Sequence, residues 1–478
     1  MYSTPVRYVL CGRVGFSSDN MICWRAVVWC FFIFSLEIVS AECSELIPDG
    51  SFERGSSWSM SQVFQVLHCP QPHGSPSEHV QGYFLLNKLR ECSSQLSNFS
   101  KDLETVELAQ SIGPDEFLFT LEGPALLTLQ QVHLGECKYR FDYELAVPGD
   151  FVLTLWRVRD RYLALNELDG EHPMFYQDKV FADGFKVTLG NPELSKEMQT
   201  NILSSGSLPV CPPRSFRQKA QWIFSGDLET LWLETPWVNH LINNRTWYVE
   251  RSAYEWRGLE CEIPHYTSSQ VAECVAGKRV KMTGDSHVRV LFNQFMASFC
   301  GVPSAAIKRR PGDQCSPCQD KPGEVCFVSN ILGERDPILN ESHPDMFLIN
   351  FGQHFIAGGP RRHNSIQSYL RHFEQAMNEF SSGLDHSSLL WMTTLDFPLR
   401  RDQAVVSHRD WRTTPRIRIM RDSTIDVLKT KIPRWAILDG FQLSTSMTQA
   451  ISMDDVHFHE EWIQMHLVHY VADFLCRP

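Results

Sequence analysis

Positive charge is scarce in this 478-residue chain: 44 Lys and Arg face 56 Asp and Glu, a formal net charge of −12. That argues against a general nucleic-acid binder, which needs a dense positive field. After the N-terminal segment no stretch reaches 18 uninterrupted apolar residues, so no stable membrane span is expected once that segment is cleaved. No internal repeat or low-complexity tract interrupts the chain. The zinc-protease spacing His-Glu-x-x-His is also missing. His457, His459, Glu461, His466 and His469 form a His-rich tail without it, and neither metal nor cofactor is expected.

What is present fits a globular protein of the secretory pathway. An apolar fraction of 43% fills a sizeable core, and the length allows two or three domains. Arg7, Arg13 and Arg25 precede an apolar run from Ala26 to Leu36. As a helix that run spans only about 16 Å, short of a bilayer core. Val39-Ser40-Ala41 then offers small residues for cleavage, so 1–41 reads as a signal peptide; a short signal-anchor is the alternative. Fifteen cysteines less Cys11, Cys23 and Cys30 leave twelve, an even number suited to an oxidising compartment. Asn98, Asn244 and Asn340 head glycosylation sequons. The expected location is secreted, or the lumen of the Golgi or endoplasmic reticulum.

Two regions read differently. From 42 to 190 the signal is β, and a small β-sandwich is expected. Tyr139 to Leu145 and Phe151 to Val158 alternate apolar and polar residues about Pro148-Gly149-Asp150, which reads as a hairpin. Residues 191–235 read as a linker, with Pro, Ser and Cys near 206–214. Five tryptophans (222, 232, 237, 247 and 256) suit either core packing or stacking on sugar rings. From 236 to 478, strands and helices alternate, implying an α/β doubly wound parallel sheet. Cys315-Ser-Pro-Cys318 with Cys326 has zinc-like spacing, but disulfides suit a secreted chain better.

The chemistry centres on Gly284-Asp285-Ser286, at an expected strand-to-helix junction. A serine hydroxyl needs a base to take its proton and a rigid turn to expose it. At a helix N-terminus its own N–H and the helix dipole favour a developing oxyanion. Asp454-Asp455-Val456-His457 supplies a base, His457, and a carboxylate, Asp454, to fix its tautomer. Arg289, one turn from Asp285, reads as an ion-pair partner or as a contact to an acyl donor or sugar acid. Trp391-Met-Thr393-Thr394 at a strand end reads either as a plain strand terminus or as substrate contacts, with Trp391 and Thr393 the candidates. The arginines at 361, 362, 371, 400, 401, 409 and 412 make this half locally basic; most read as solvated, with a few as candidates to line an anionic-substrate site.

Gly284-Asp285-Ser286-His287-x-Arg289 with Asp454-x-x-His457 resembles the PC-esterase clan of SGNH-like proteins, and most of all the neurexophilin-and-PC-esterase proteins. Cys274-x-x-Gly277-Lys-x-Val, Leu348 to His354 and Leu438-Asp439-Gly-Phe look like further blocks of that clan. The resemblance covers roughly 220–478, and 42–190 only as architecture. It implies an SGNH-type sheet preceded by an Ig/filamin-like β-sandwich. It also implies a serine enzyme that transfers or removes O-acetyl groups on carbohydrate hydroxyls. The partner is then a carbohydrate or glycoconjugate, with the acyl donor left open. Where SGNH hydrolases carry Gly-x-Asn, this chain has Gly352-Gln353-His354. The oxyanion-hole candidates are therefore the Ser286 N–H, Gly352 and His354. The competing reading is a secreted binding protein that uses both domains as recognition surfaces without catalysis.

Overall fold

The structure is a computed structural model. It describes residues 43–477 except 53–54, 72–79, 91, 93–109, 111, 160–177, 183–184, 205, 207, 213–218, 227, 229–253, 303–313, 334–342, 357–365, 397–411, 448–456 and 459–460. The signal segment and all three sequon asparagines therefore lie outside the described residues. Residues 45–478 form one compact unit.

The strands are β1 (Ser44–Leu46), β2 (Phe64–Pro70), β3 (Val80–Lys88), β4 (Glu116–Glu122), β5 (Ala125–Leu129), β6 (Gln131–Gly135), β7 (Lys138–Leu145), β8 (Gly149–Arg159), β9 (Asp178–Lys179), β10 (Lys186–Leu189), β11 (Ala220–Phe224), β12 (Tyr254–Gly258), β13 (Arg279–Gly284), β14 (Gln314–Ser316), β15 (Glu324–Ser329), β16 (Met346–Asn350), β17 (Ser388–Met392) and β18 (Ala436–Leu438). The helices that matter below are α1 (Ser195–Leu203), α2 (Ser268–Val275), α3 (Ser286–Phe299), α4 (Gln353–Ile356), α5 (Ile366–Gly383), α6 (Thr414–Thr430), α7 (Gly440–Thr445) and α8 (Glu461–Cys476).

The described residues are mixed α/β and form three sheets. One runs β1-β2-β3-β7-β6; the second runs β10-β8-β4-β5-β11-β12, with β9 on β8. In β3 and β7 alternate residues are buried, as in strands with one face on a core. Both sheets feed that core: Phe84 lies 4.8 Å from Phe119, and Phe119 lies 5.0 Å from Phe141, ring to ring.

The hairpin expected at 148–150 is not formed. β7 pairs with β3 and β6, whereas β8 pairs with β4, β9 and β10 in the other sheet. Leu145, Ala146 and Val147 are all fully buried, so the chain crosses the core edge there instead of folding back. Alternation told which residues face inward but not which sheet each strand joins. Residues 191–235, expected as a linker, carry α1 and β11, and β11 with β12 extends the second sheet.

The third sheet runs β14-β15-β13-β16-β17-β18, parallel throughout except for β14. β16, Met-Phe-Leu-Ile-Asn, is buried at every position, as expected of a parallel strand covered on both faces. Val280, Met282, Leu348 and Leu390 pack with α2, α3 and α8 on one face. Phe347, Ile349, Leu389 and Trp391 pack with α5 and α6 on the other. Among its parallel strands, sheet order first reverses at β13, which lies between β15 and β16. Ligands of open α/β sheets bind at the carboxyl ends of strands near such a point.

All twelve described cysteines are disulfide-bonded. Five pairs are Cys92–Cys137, Cys211–Cys261, Cys274–Cys476, Cys300–Cys318 and Cys315–Cys326. Such usage is consistent with a lumenal or secreted protein. Among the described residues, no helix is long and apolar enough to cross a membrane.

Candidate active site

β13 ends on Gly284, whose backbone lies against Asn350 of β16. At φ +155° an added Cβ would sit 2.3 Å from the Asn350 carbonyl oxygen, so only glycine fits this close approach. Asp285 caps α3: its Oδ1 accepts from the His287 N–H at 2.8 Å. Ser286 is therefore the first residue of the helix, where amide N–H groups lack intrahelical acceptors. The rest of α3 is held by Val288, Leu291, Phe292, Phe295, Met296 and Phe299, one buried stripe at helical spacing.

Ser286 Oγ and His457 Nε2 are 2.5 Å apart. For Nε2 to accept the Ser286 proton, the proton of the neutral imidazole must sit on Nδ1. The His457 ring meets the buried His287 ring edge-on at 5.4 Å. Asp454, expected to hold His457, lies outside the described residues.

A second group reaches the same oxygen. Gln353 Nε2 donates to Ser286 Oγ at 3.3 Å, and Arg412 Nη1 donates to Gln353 Oε1 at 3.4 Å. Gln353 is fully buried. It follows Gly352, whose φ of +141° and tight fit against Met420 and Tyr369 exclude a side chain there. His354 makes no hydrogen bond to Ser286 and is half-buried. The α4 side chain that reaches Ser286 Oγ is thus that of Gln353, the helix's first residue, and not that of His354.

Asp285 is buried, and burial pushes its carboxyl up to about 6. The His287 N–H, the Gln353 amide and the charges of Arg412 and Arg289 oppose that rise. Its Oδ2 has no hydrogen-bond partner. Arg289 does not close the expected ion pair on it; Arg289 acts on Asp285 only through space. Asn350 Nδ2 donates to the Met392 carbonyl at 2.8 Å and to Thr394 Oγ1 at 3.3 Å, tying the ends of β16 and β17 together.

Trp391 and Thr393 are not placed to touch a substrate. Trp391 is buried against Phe351 and Phe373, and Thr393 is fully buried between Asp439 and the Phe441 N–H. β17 lies inside the sheet, and the start of α7 covers its end. Trp222 is likewise core, with its indole N–H on the Leu443 carbonyl at 3.0 Å. Cys315, Glu324 and Cys326 converge as metal donors would, but both cysteines are in a disulfide and offer no thiolate. Sequence reasoning missed Gln353, Arg412 and Asn350. Only Gln353 leaves a trace in the sequence, by its place directly after Gly352.

No family model matches the chain, and no curated protein matches it significantly. Among solved structures, it is similar to one described as a GDSL-like lipase from Parabacteroides merdae, at 13% identity and a TM-score of 0.29. The match covers 42% of this chain and 97% of that one. At that TM-score the likeness carries no argument here.

Proposed function

We propose that this chain is a serine acyl-enzyme of the secretory pathway, acting on O-acyl esters of carbohydrates. The observation that carries the reading is the 2.5 Å contact between Ser286 Oγ and His457 Nε2 at the carboxyl end of β13. A serine at a helix N-terminus, touching an imidazole nitrogen, is an activated nucleophile.

In the reaction, the Ser286 proton passes to His457 Nε2 as Oγ bonds to the ester carbonyl carbon. The carbonyl π pair moves onto oxygen, making a tetrahedral oxyanion. That intermediate collapses, the leaving alcohol departs with the proton from His457, and acyl-Ser286 remains. Water or a sugar hydroxyl then attacks, giving its proton to His457, and Ser286 is regenerated with that proton. Asp454 is proposed to hold the imidazole tautomer. The resemblance of residues 220–478 to PC-esterases supports an SGNH-type sheet preceded by an Ig/filamin-like sandwich. It also supports acetyl as the acyl group and a glycan hydroxyl as the acceptor.

Incubation with p-nitrophenyl acetate, with and without an oligosaccharide, tests this. The expected result is nitrophenol release through an acetyl-Ser286 intermediate visible by intact mass. Acetylated oligosaccharide would make the enzyme a transferase, and free acetate alone an esterase. A folded protein that releases no nitrophenol and gains no acetyl mass would overturn the reading.

A further inference from the structure

We infer that Gln353 supplies the side-chain hydrogen bond to the oxyanion, and that Arg412 is the positioning residue that points its amide there. This rests on the acyl-enzyme reading above and concerns how that intermediate is held.

The geometry gives the amide a direction. A carboxamide has a donor end and an acceptor end, and which way it faces follows from its neighbours. The Arg412 guanidinium only donates, so it claims Oε1 and leaves Nε2 toward Ser286. Reversal would set an N–H against a guanidinium and a carbonyl oxygen against the attacked site. The oxyanion forms two bonds from Ser286 Oγ, so a donor 3.3 Å from that oxygen is in its reach after modest adjustment. Gln353 is fully buried, and its amide is already aligned before substrate arrives. Preorganised donors of this kind need no reorientation in the transition state.

The same amide also faces a negative group. The buried Asp285 carboxyl has an unpartnered oxygen, and the Gln353 amide stabilises its ionised form. Gln353 thus lies between a resident anion and the place where a transient one appears. A carboxylate at 353 would be repelled by both, although it has the same shape and would pair well with Arg412. That separates a catalytic donor from a packing residue.

The experiment measures steady-state hydrolysis of p-nitrophenyl acetate by the full chain and its variants, with thermal melts as folding controls. Gln353→Ala should lower kcat by about 10²–10³ with little change in KM, as loss of one oxyanion donor does. The near-isosteric Gln353→Glu should be at least as impaired while melting within a few degrees of the parent. Arg412→Ala should lose about tenfold, recover part of it with added guanidinium, and add nothing in the background of Gln353→Ala. Fluorophosphonate labelling of the parent enzyme, absent in Ser286→Ala, keeps the acyl-enzyme reading separate from this test. If the parent is labelled yet Gln353→Glu retains its kcat, or Arg412→Ala and Gln353→Ala losses multiply, the inference is wrong and the nucleophile stands. If the parent is unlabelled, both readings fall.

Discussion

The antiparallel half carries a set of closed, buried ion pairs, whereas the start of α3 in the parallel half carries buried polar atoms left without partners. In the antiparallel half, Lys88 meets Asp115 at 2.7 Å, and within the second sheet Arg157 meets Asp178 at 2.5 Å across β8 and β9 while Arg159 meets Glu116 across β8 and β4, every partner deeply buried. Charges closed on one another are structural: breaking one leaves an uncompensated buried ion. At the carboxyl ends of β13 and β16, polar groups are left open instead. Thr283 Oγ1, Asp285 Oδ2 and Asn350 Oδ1 are buried without a hydrogen-bond partner. Such groups cost stability, and these three lie on the strand ends and helix start that carry Ser286.

That contrast can be broken by substitution on either side. The largest effect belongs to the parallel half. His457→Ala should lower esterase kcat by about 10⁴ with an unchanged melting temperature, since the ring contacts Ser286 Oγ and belongs to no helix or strand. A loss below about tenfold would detach His457 from the chemistry. In the antiparallel half, Asp115→Ala strands the Lys88 ammonium and should cost about 3–5 kcal/mol in denaturant unfolding, while the surviving native fraction keeps its turnover. Comparable stability with altered kcat would mean that the two halves are not separable in role. Gly284→Ala should cost about 2–3 kcal/mol, because its Cβ meets the Asn350 carbonyl in a backbone state unfavourable to alanine.

The smallest effect is pH dependence. Burial pushes His466 down to about 3 and His469 down to about 4. The neighbouring His265, and for His466 also His469 and Arg257, add to it. The unfolded chain, with both near 6.5, then binds more protons as pH falls below 6.5, so stability drops from there toward pH 4. Asp285 works the other way: its raised value favours the folded state between about 6 and 3.8. The two histidines outweigh it, and the net loss from pH 6.5 to 5 should be about 2 kcal/mol, measurable by urea titration. Stability that rises over this range would contradict the burial of both rings.

Much of the parallel half was readable from sequence because burial on both faces leaves continuous apolar runs. Every residue of Met346–Asn350 and all but the first of Ser388–Met392 are buried, and α3 begins at the expected junction. Ser286 and His457 each sit on a motif with its own chemical logic, and the fold brings their side chains to 2.5 Å. The antiparallel half was not readable at the level of pairing: β7 and β8 show the alternation of a hairpin yet belong to different sheets. α6 was hidden because it opens on an arginine-rich stretch, of which Arg416 is fully buried. Gln353 was hidden for a geometric reason. Which of Gln353 and His354 faces Ser286 depends on the φ of Gly352, and no residue pattern fixes that angle.

The account stands or falls on Ser286 being an activated nucleophile. A fluorophosphonate probe added to the folded parent chain and to Ser286→Ala measures this directly. One label per chain, recovered on the peptide that contains Ser286 and lost in the variant, is the predicted result. A folded parent that takes no label, or a variant that keeps it, would contradict the account.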